Sequence, residues 1–294
     1  MKSSPLLPSL RGHLRIISAG AAQSLVLSLG ELINRSSLPS SSSSSSLSPS
    51  TPSLQLNASF GAVGAMVDLF EKERSDAAHT PCDLMISSQS ILTDLGARGW
   101  VQANTIEPLG LVSTGLARVS SDESGLWGAS ALAASADPNA HLVETFLQAT
   151  QIYIPDPVKS TAGIHVKSVL TALGLWERCA DKLQSFPNGA TAMARMAQEA
   201  RAGALGCTQK TEILFTPGVQ WVEALPPDHA LKTLYSVARV QADVSTAPDR
   251  TPSGGDGHAQ VALAQAFLEQ LVSPEQATLR AESGFESTPQ NQRV

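Results

Sequence analysis

The chain has 294 residues, 42% of them apolar and 4% aromatic, with a formal net charge of −6. That length can bury one large core or two modest ones. The acidic balance, the lack of a Lys/Arg cluster and the shortage of stacking rings argue against nucleic acid as the main partner, and no apolar run approaches the roughly 18–20 residues that span a bilayer.

Residues 1–13 form an N-terminal tail in which Leu6 and Leu7 are interrupted by prolines and polar residues. It lacks the roughly 7–15-residue apolar stretch of a secretory leader, so the chain as numbered reads as cytoplasmic. A start site elsewhere, or a removed leader, would make it periplasmic or extracellular. Leu14–Ser18 is a short apolar strand, followed by Ala19-Gly20-Ala21-Ala22-Gln23-Ser24 and a helix with Leu25, Leu29, Leu32 and Ile33 on one face. Residues 36–53 are a Ser/Pro tract with seven serines in a row, Ser40–Ser46. Such a tract cannot offset its ordering entropy by burial and is expected as a disordered loop inserted within a domain.

The pattern then repeats. Leu54–Leu56 leads to Phe60-Gly61-Ala62-Val63-Gly64-Ala65 and a helix with Met66, Leu69 and Phe70. Strand Asp83–Ser87, a helix around Ile91–Leu95, strand Pro108–Val119 and helix Pro138–Thr150 follow. Strand Ile152–Pro155 runs into Asp156-Pro157 and the small-residue turn Ser160-Thr161-Ala162-Gly163, which opens helix Ile164–Leu173. Next come helix Thr191–Ala202, strand Ala204–Thr208 and strands near Val219–Ala224 and Thr233–Val240. A loop at Ala247–Gly257 precedes the closing helices Val261–Leu271 and Pro274–Ser283. Alternation of this kind predicts an α/β fold with mainly parallel sheets in two lobes, with ligands at strand C-terminal ends.

Three small-residue turns feed helices, and helix N-termini offer unpaired N–H groups and a positive dipole end to anions. Each turn taken alone is equally an ordinary strand–turn–helix unit with a Ser/Thr cap. None is a G-x-G-x-x-G fingerprint or a P-loop. Ser87 and Ser88 either face a cleft or cap the helix beginning at Gln89. Gln209, polar and just after a buried-looking strand, reads as a site residue; Glu212 reads as a cap for the next segment. Asp156 reads as a turn initiator, His165 as exposed or capping, and Lys159 and Lys210 as surface lysines able to attract an anion. Cys82, Cys179 and Cys207 are scattered and fit reduced structural thiols, with no Cys-x-x-Cys for zinc or redox work and no cofactor implied. No G-x-S-x-G, H-E-x-x-H or readable acidic pair supports catalysis.

The runs LRIISAG, FGAVGAM, CDLMISS, IPDPVKSTAGIHV, ALGCTQKTEIL and LRAESGFE, in this order and spacing, resemble the substrate-binding proteins of molybdate-type ABC importers, from about Leu14 to Glu286. The resemblance implies a type 2 periplasmic-binding-protein clamshell. Lobe one would comprise residues 14–110 and 233–290, and lobe two residues 111–232, with Pro108–Val119 and Thr233–Val240 as crossover strands. It implies a non-enzymatic monomer that closes on a small-molecule or oxyanion ligand and serves ABC importer membrane subunits. The implied contacts are Gly20, Ala21, Ala22, Ala62, Val63, Gly64, Ser87, Ser160, Thr161, Ala162 and Gln209. Better-known molybdate binders use serine hydroxyls from the first two turns and a second-lobe tyrosine, where this chain has Ala21, Val63 and Gln209. Each lost hydrogen bond to a charged acceptor is worth about 1.5–3 kcal/mol, which counts against molybdate itself. A non-exported ligand-binding or sensor protein of the same fold, or an enzyme using the cleft, remain the alternatives.

Overall fold

A computed structural model describes residues 10–36, 53–76, 82–122, 137–241 and 256–288. The first part of the chain forms β1 (Gly12–Ala19), α1 (Gln23–Ser36), β2 (Leu54–Gly61), α2 (Val63–Ser75), β3 (Leu84–Ser88) and α3 (Gln89–Ala97). After β4 (Glu107–Val119) come α4 (Pro138–Gln148), β5 (Gln151–Pro155), α5 (Thr161–Ala172), β6 (Leu183–Phe186), α6 (Gly189–Glu199), β7 (Ala204–Gln209), α7 (Lys210–Phe215) and β8 (Val219–Ala224). Strand β9 (Lys232–Arg239) and helices α8 (Asp256–Val272) and α9 (Ala277–Glu282) follow.

The strands share one sheet in the order β2-β1-β3-β9-β4-β7-β5-β6, with β8 paired to β4. Strands β2-β1-β3 are parallel, as are β6-β5-β7. Strands β4 and β9 run antiparallel to their neighbours and carry the chain between the two halves. β4 pairs β9 from Glu107 to Ser113, then β7 from Thr114 onward. The molecule is thus a two-lobed clamshell with a parallel core in each lobe and two connecting strands.

Each lobe buries both faces of its sheet, which is why β1, β3 and β7 are almost wholly buried. Adjacent residues on a strand point to opposite faces. Ile16 therefore packs with Leu25, Leu29 and Phe267 under α1 and α8, while Ile17 packs with Phe70, Met85 and Leu92 under α2 and α3. In lobe two, Ile152 and Ile154 pack with Val166 and Leu170 of α5, and Tyr153 packs with Met193 and Met196 of α6.

Several boundaries differ from the sequence reading. β1 begins at Gly12, since Gly12 and His13 pair with Leu54 and Gln55 and so leave the tail. Ser36 belongs to α1 and bonds its hydroxyl to the Leu32 carbonyl; residues 37–52 of the Ser/Pro tract lie outside the described residues. Asp256 and Gly257 open α8, so the loop expected at 247–257 ends by residue 255, and 247–255 also lie outside the described residues. Strand β6 is absent from the sequence reading: its mixed sequence, Leu-Gln-Ser-Phe, has no strong period, and pairing with β5 is what makes it a strand. Helix α6 starts at Gly189, two residues before the expected Thr191, because Asn188 caps it through the Thr191 amide.

Candidate functional site

The parallel strands of each lobe end on a common edge. Ala19 at the end of β1 pairs with Gly61 at the end of β2, and Ser18 pairs with Ile86 of β3. In lobe two, Pro155 at the end of β5 pairs with Phe186 at the end of β6, and Tyr153 pairs with Gly206 of β7. The two edges face each other. The Gly64 amide donates to the Lys159 carbonyl at 3.1 Å, and the Lys159 ammonium pairs with Asp68 of α2 at 2.7 Å. Thr161 at the start of α5 lies beside the phenol of Tyr235 on β9. A Cβ added to Gly20 would lie 3.1 Å from a Glu212 carboxylate oxygen.

Four helical segments begin on these edges without a side-chain cap: the 3-10 turn Gly20–Ala22 after Ala19, α2 after Ala62, α3 after Ser88 and α7 after Gln209. Their first-turn amides therefore lack the side-chain acceptor that usually satisfies them. By contrast, Ser160 caps α5, accepting from the Gly163 amide at 3.4 Å. The turn before α5 is tied by Asp156, whose carboxylate accepts from the amides of Val158 (2.7 Å) and Lys159 (3.0 Å). Asp156 thus initiates the turn. Gly163 is required there, because a Cβ would sit 2.1 Å from the Asp156 carbonyl oxygen.

Beside the uncapped turns lie buried polar groups with no partner. Gln209, the last residue of β7, is 2% exposed, and both of its amide atoms are unpaired; the Ser87 hydroxyl is in the same condition at 1% exposure. The hydroxyls of Thr114, which pairs with Gln209 across β4–β7, and of Thr211 are also buried and unpaired. Leaving such groups without a partner costs about 1–3 kcal/mol each, so buried polar groups are nearly always satisfied by protein, water or ligand.

Glu212 is buried as well, but fully engaged. One carboxylate oxygen accepts from the Gly189 amide at 3.1 Å and the other from the Thr208 hydroxyl at 2.6 Å; the amides of Gln209 and Ala190 also bond to it. Burial raises its pKa, and these donors offset only part of that rise. Gly189 has to be glycine, since a Cβ would come within 1.9 Å of the same carboxylate. Burial, and next the Glu212 charge, push the Tyr235 phenol up, with the Thr161 hydroxyl acting in the opposite direction.

Among the residues expected in the site, Gly20, Ala21 and Ala22 form the buried 3-10 turn, and Ala62 precedes α2, whose first residues are Val63 and Gly64. The fold joins Gly64 to the chain before Ser160, Gly20 to the segment after Gln209, and Thr161 to the connecting strand. Ala162 is buried in the first turn of α5. Ser88 occupies the N-cap position of α3 but bonds Ser90 (3.3 Å) and no amide. His165 is bound to the His229 carbonyl at 2.8 Å, and Lys210 lies over the Trp221 ring. Sequence reasoning missed Tyr235 and assigned Glu212 a local capping role. The available signal for Tyr235 was rarity, since the chain has only two tyrosines.

Two α/β lobes joined by two connecting strands, with polar residues at their facing strand ends, define a two-lobed clamshell fold. The chain belongs to the bacterial extracellular solute-binding protein family, whose family model matches residues 51–286. Solved structures share the fold. The periplasmic molybdate-binding protein of Azotobacter vinelandii is 12% identical, with a TM-score of 0.62, covering 94% of this chain and 100% of that one. The substrate-binding protein of an ABC transporter from Agrobacterium tumefaciens is 15% identical, with a TM-score of 0.58 and coverage of 94% and 80%. PEB3 with bound L-phospholactate is 13% identical, with a TM-score of 0.57 and coverage of 94% and 100%. No curated protein sequence matches the chain.

Proposed function

We propose that this protein captures a small solute bearing an acidic group in the cleft between its lobes and hands it to the membrane subunits of an ABC importer. The work is capture and release by hinge closure, with no covalent bond made or broken. The observation that carries this reading is Gln209: a buried side chain with both hydrogen-bonding atoms unpaired, beside helices that begin without caps. An acidic group suits the uncapped N-termini of α2 and α3, while Gln209 and Ser87 would recognise the rest of the solute. Relatives of the fold that hold molybdate or L-phospholactate support an acidic ligand, and the residues Ala21 and Val63 count against molybdate. Delivery to an importer would place the protein outside the cytoplasm.

The test is a thermal-shift screen of the purified protein against molybdate, tungstate, sulfate, phosphate, small carboxylates, amino acids and sulfonates. A ligand at a hundred times its dissociation constant should stabilise by about 2.7 kcal/mol. A clear shift with a small acid is the expected result. No shift with any compound, together with no solute released on denaturing the purified protein, would refute the reading.

A further inference from the structure

Two features of the cleft narrow the ligand, on the reading that the cleft is the solute site. The first is Glu212. In a fold that would offer backbone amides to an incoming anion, the amides of Gly189, Ala190 and Gln209 and the Thr208 hydroxyl already converge on this side chain of the protein itself. Its carboxylate lies against Gly20 of the opposite lobe. A backbone N–H can only donate, so the carboxyl oxygens facing these groups act as acceptors. The Lys159 ammonium on the cleft rim is already paired with Asp68, and Lys210 rests on Trp221. These donors are therefore taken, and a multiply charged anion entering here would have to be held by what remains.

The second feature is the unpaired pair of atoms on Gln209. Its Nε2 needs an acceptor, but its Oε1 needs a donor. Sulfate and molybdate dianions carry no proton and cannot satisfy that oxygen. A hydroxyl or ammonium group can.

We propose that the Glu212 carboxyl occupies a position where the fold gathers backbone donors, so that the site rejects tetrahedral dianions. It instead takes a small solute with at most one negative charge and a hydroxyl or amino donor, the chemistry of a hydroxy acid or an amino acid. Gln209 is the residue that reads the donor.

Titration calorimetry on the full chain tests this with sulfate and molybdate against lactate, glycerate and a set of α-amino acids. The wild-type protein should bind a member of the second group and neither dianion. Glu212→Ala frees the Gly189 amide and the Thr208 hydroxyl, and should bind sulfate at least about tenfold more tightly than wild type, because those donors become available to it. Wild-type binding of sulfate or molybdate overturns the proposal whatever the variant does. A folded Glu212→Ala that binds sulfate no better than wild type also overturns it. Should the variant not fold, the wild-type comparison of dianions with hydroxy and amino acids decides alone. Binding of a dianion would sink this inference and leave the solute-binding reading standing; failure of that reading would show as no binding by either protein to any compound.

Discussion

Gln209 ends a buried strand, begins a helix and keeps an amide group out of water without giving it a partner. On the proposed function, a solute that pairs both atoms would offset that cost. Gln209→Ala should therefore lower solute affinity roughly fivefold or more, for loss of about 1 kcal/mol or more of hydrogen bonding. Folding stability should change by no more than about 1 kcal/mol, since the unsatisfied amide and the packed stem are removed together. Calorimetric binding beside urea unfolding separates the two; a variant that unfolds easily but binds normally would make Gln209 structural. The run Thr-Gln-Lys-Thr-Glu made Gln209 visible in the sequence, because a polar residue directly after an apolar strand has to be accounted for. Tyr235 was not visible in that way. Its role comes from Thr161 and Glu212, which reach it from distant parts of the chain.

At the scale of elements, the hinge is strapped by the segment after α9. The Leu111 amide donates to the Glu286 carbonyl at 2.9 Å, and the Glu286 amide donates back to the Leu111 carbonyl at 2.8 Å, which adds the segment to β4. The Glu286 carboxylate then accepts from Ser113 of β4 (2.7 Å) and pairs with Lys232 of β9 (2.6 Å), tying the two connecting strands to each other. Burial alone would raise this carboxyl, but the Lys232 ammonium and the Ser113 hydroxyl outweigh it and hold the pKa below the usual glutamate value. A depressed folded pKa gives stability that is complete above the unfolded value of about 4.3 and lost as pH falls through the folded one. Urea midpoints of the wild type should therefore fall between about pH 5 and about pH 3, and Glu286→Gln should flatten part of that fall. A variant with the full wild-type slope would assign the acid sensitivity elsewhere. Helix capping also acts at this scale. Helices α2, α3 and α7 start without side-chain caps where the two lobes face each other, whereas α4 is capped by Asp137 through the Asn139 and Ala140 amides.

Across the whole molecule, β4 and β9 belong to both lobes at once. β9 pairs β3 on one side and β4 on the other, and β4 continues into β7 and β8. Neither lobe can lose its sheet without exposing an edge of the other, so unfolding should be a single cooperative transition, with calorimetric and van't Hoff enthalpies in agreement. Two resolved transitions would show that the lobes unfold independently. The α/β class was legible in the sequence because apolar periodicity and glycine-bearing turns are local properties that survive in a linear chain; the clamshell and the family were legible through the resemblance carried by several motifs in their order. β6 was not legible, since a half-exposed strand of mixed polarity is defined by the neighbour it pairs with.

The site divides along the same line. Small residues at the turns mark where backbone can approach a ligand, and part of that information is local: Gly163 is a glycine because the Pro155 and Asp156 carbonyls of its own turn leave no room for a Cβ, whereas Gly189 is crowded by Thr208 and Glu212 from a distant segment. Which groups meet across the cleft is not local. Only the folded chain brings Glu212 against Gly20, Lys159 against Asp68 and Tyr235 against Thr161. The reason is that hydrogen bonding and charge act over a few ångströms of space, with no regard for separation along the chain, so the chemistry of the cleft emerges only when two connecting strands set one lobe against the other.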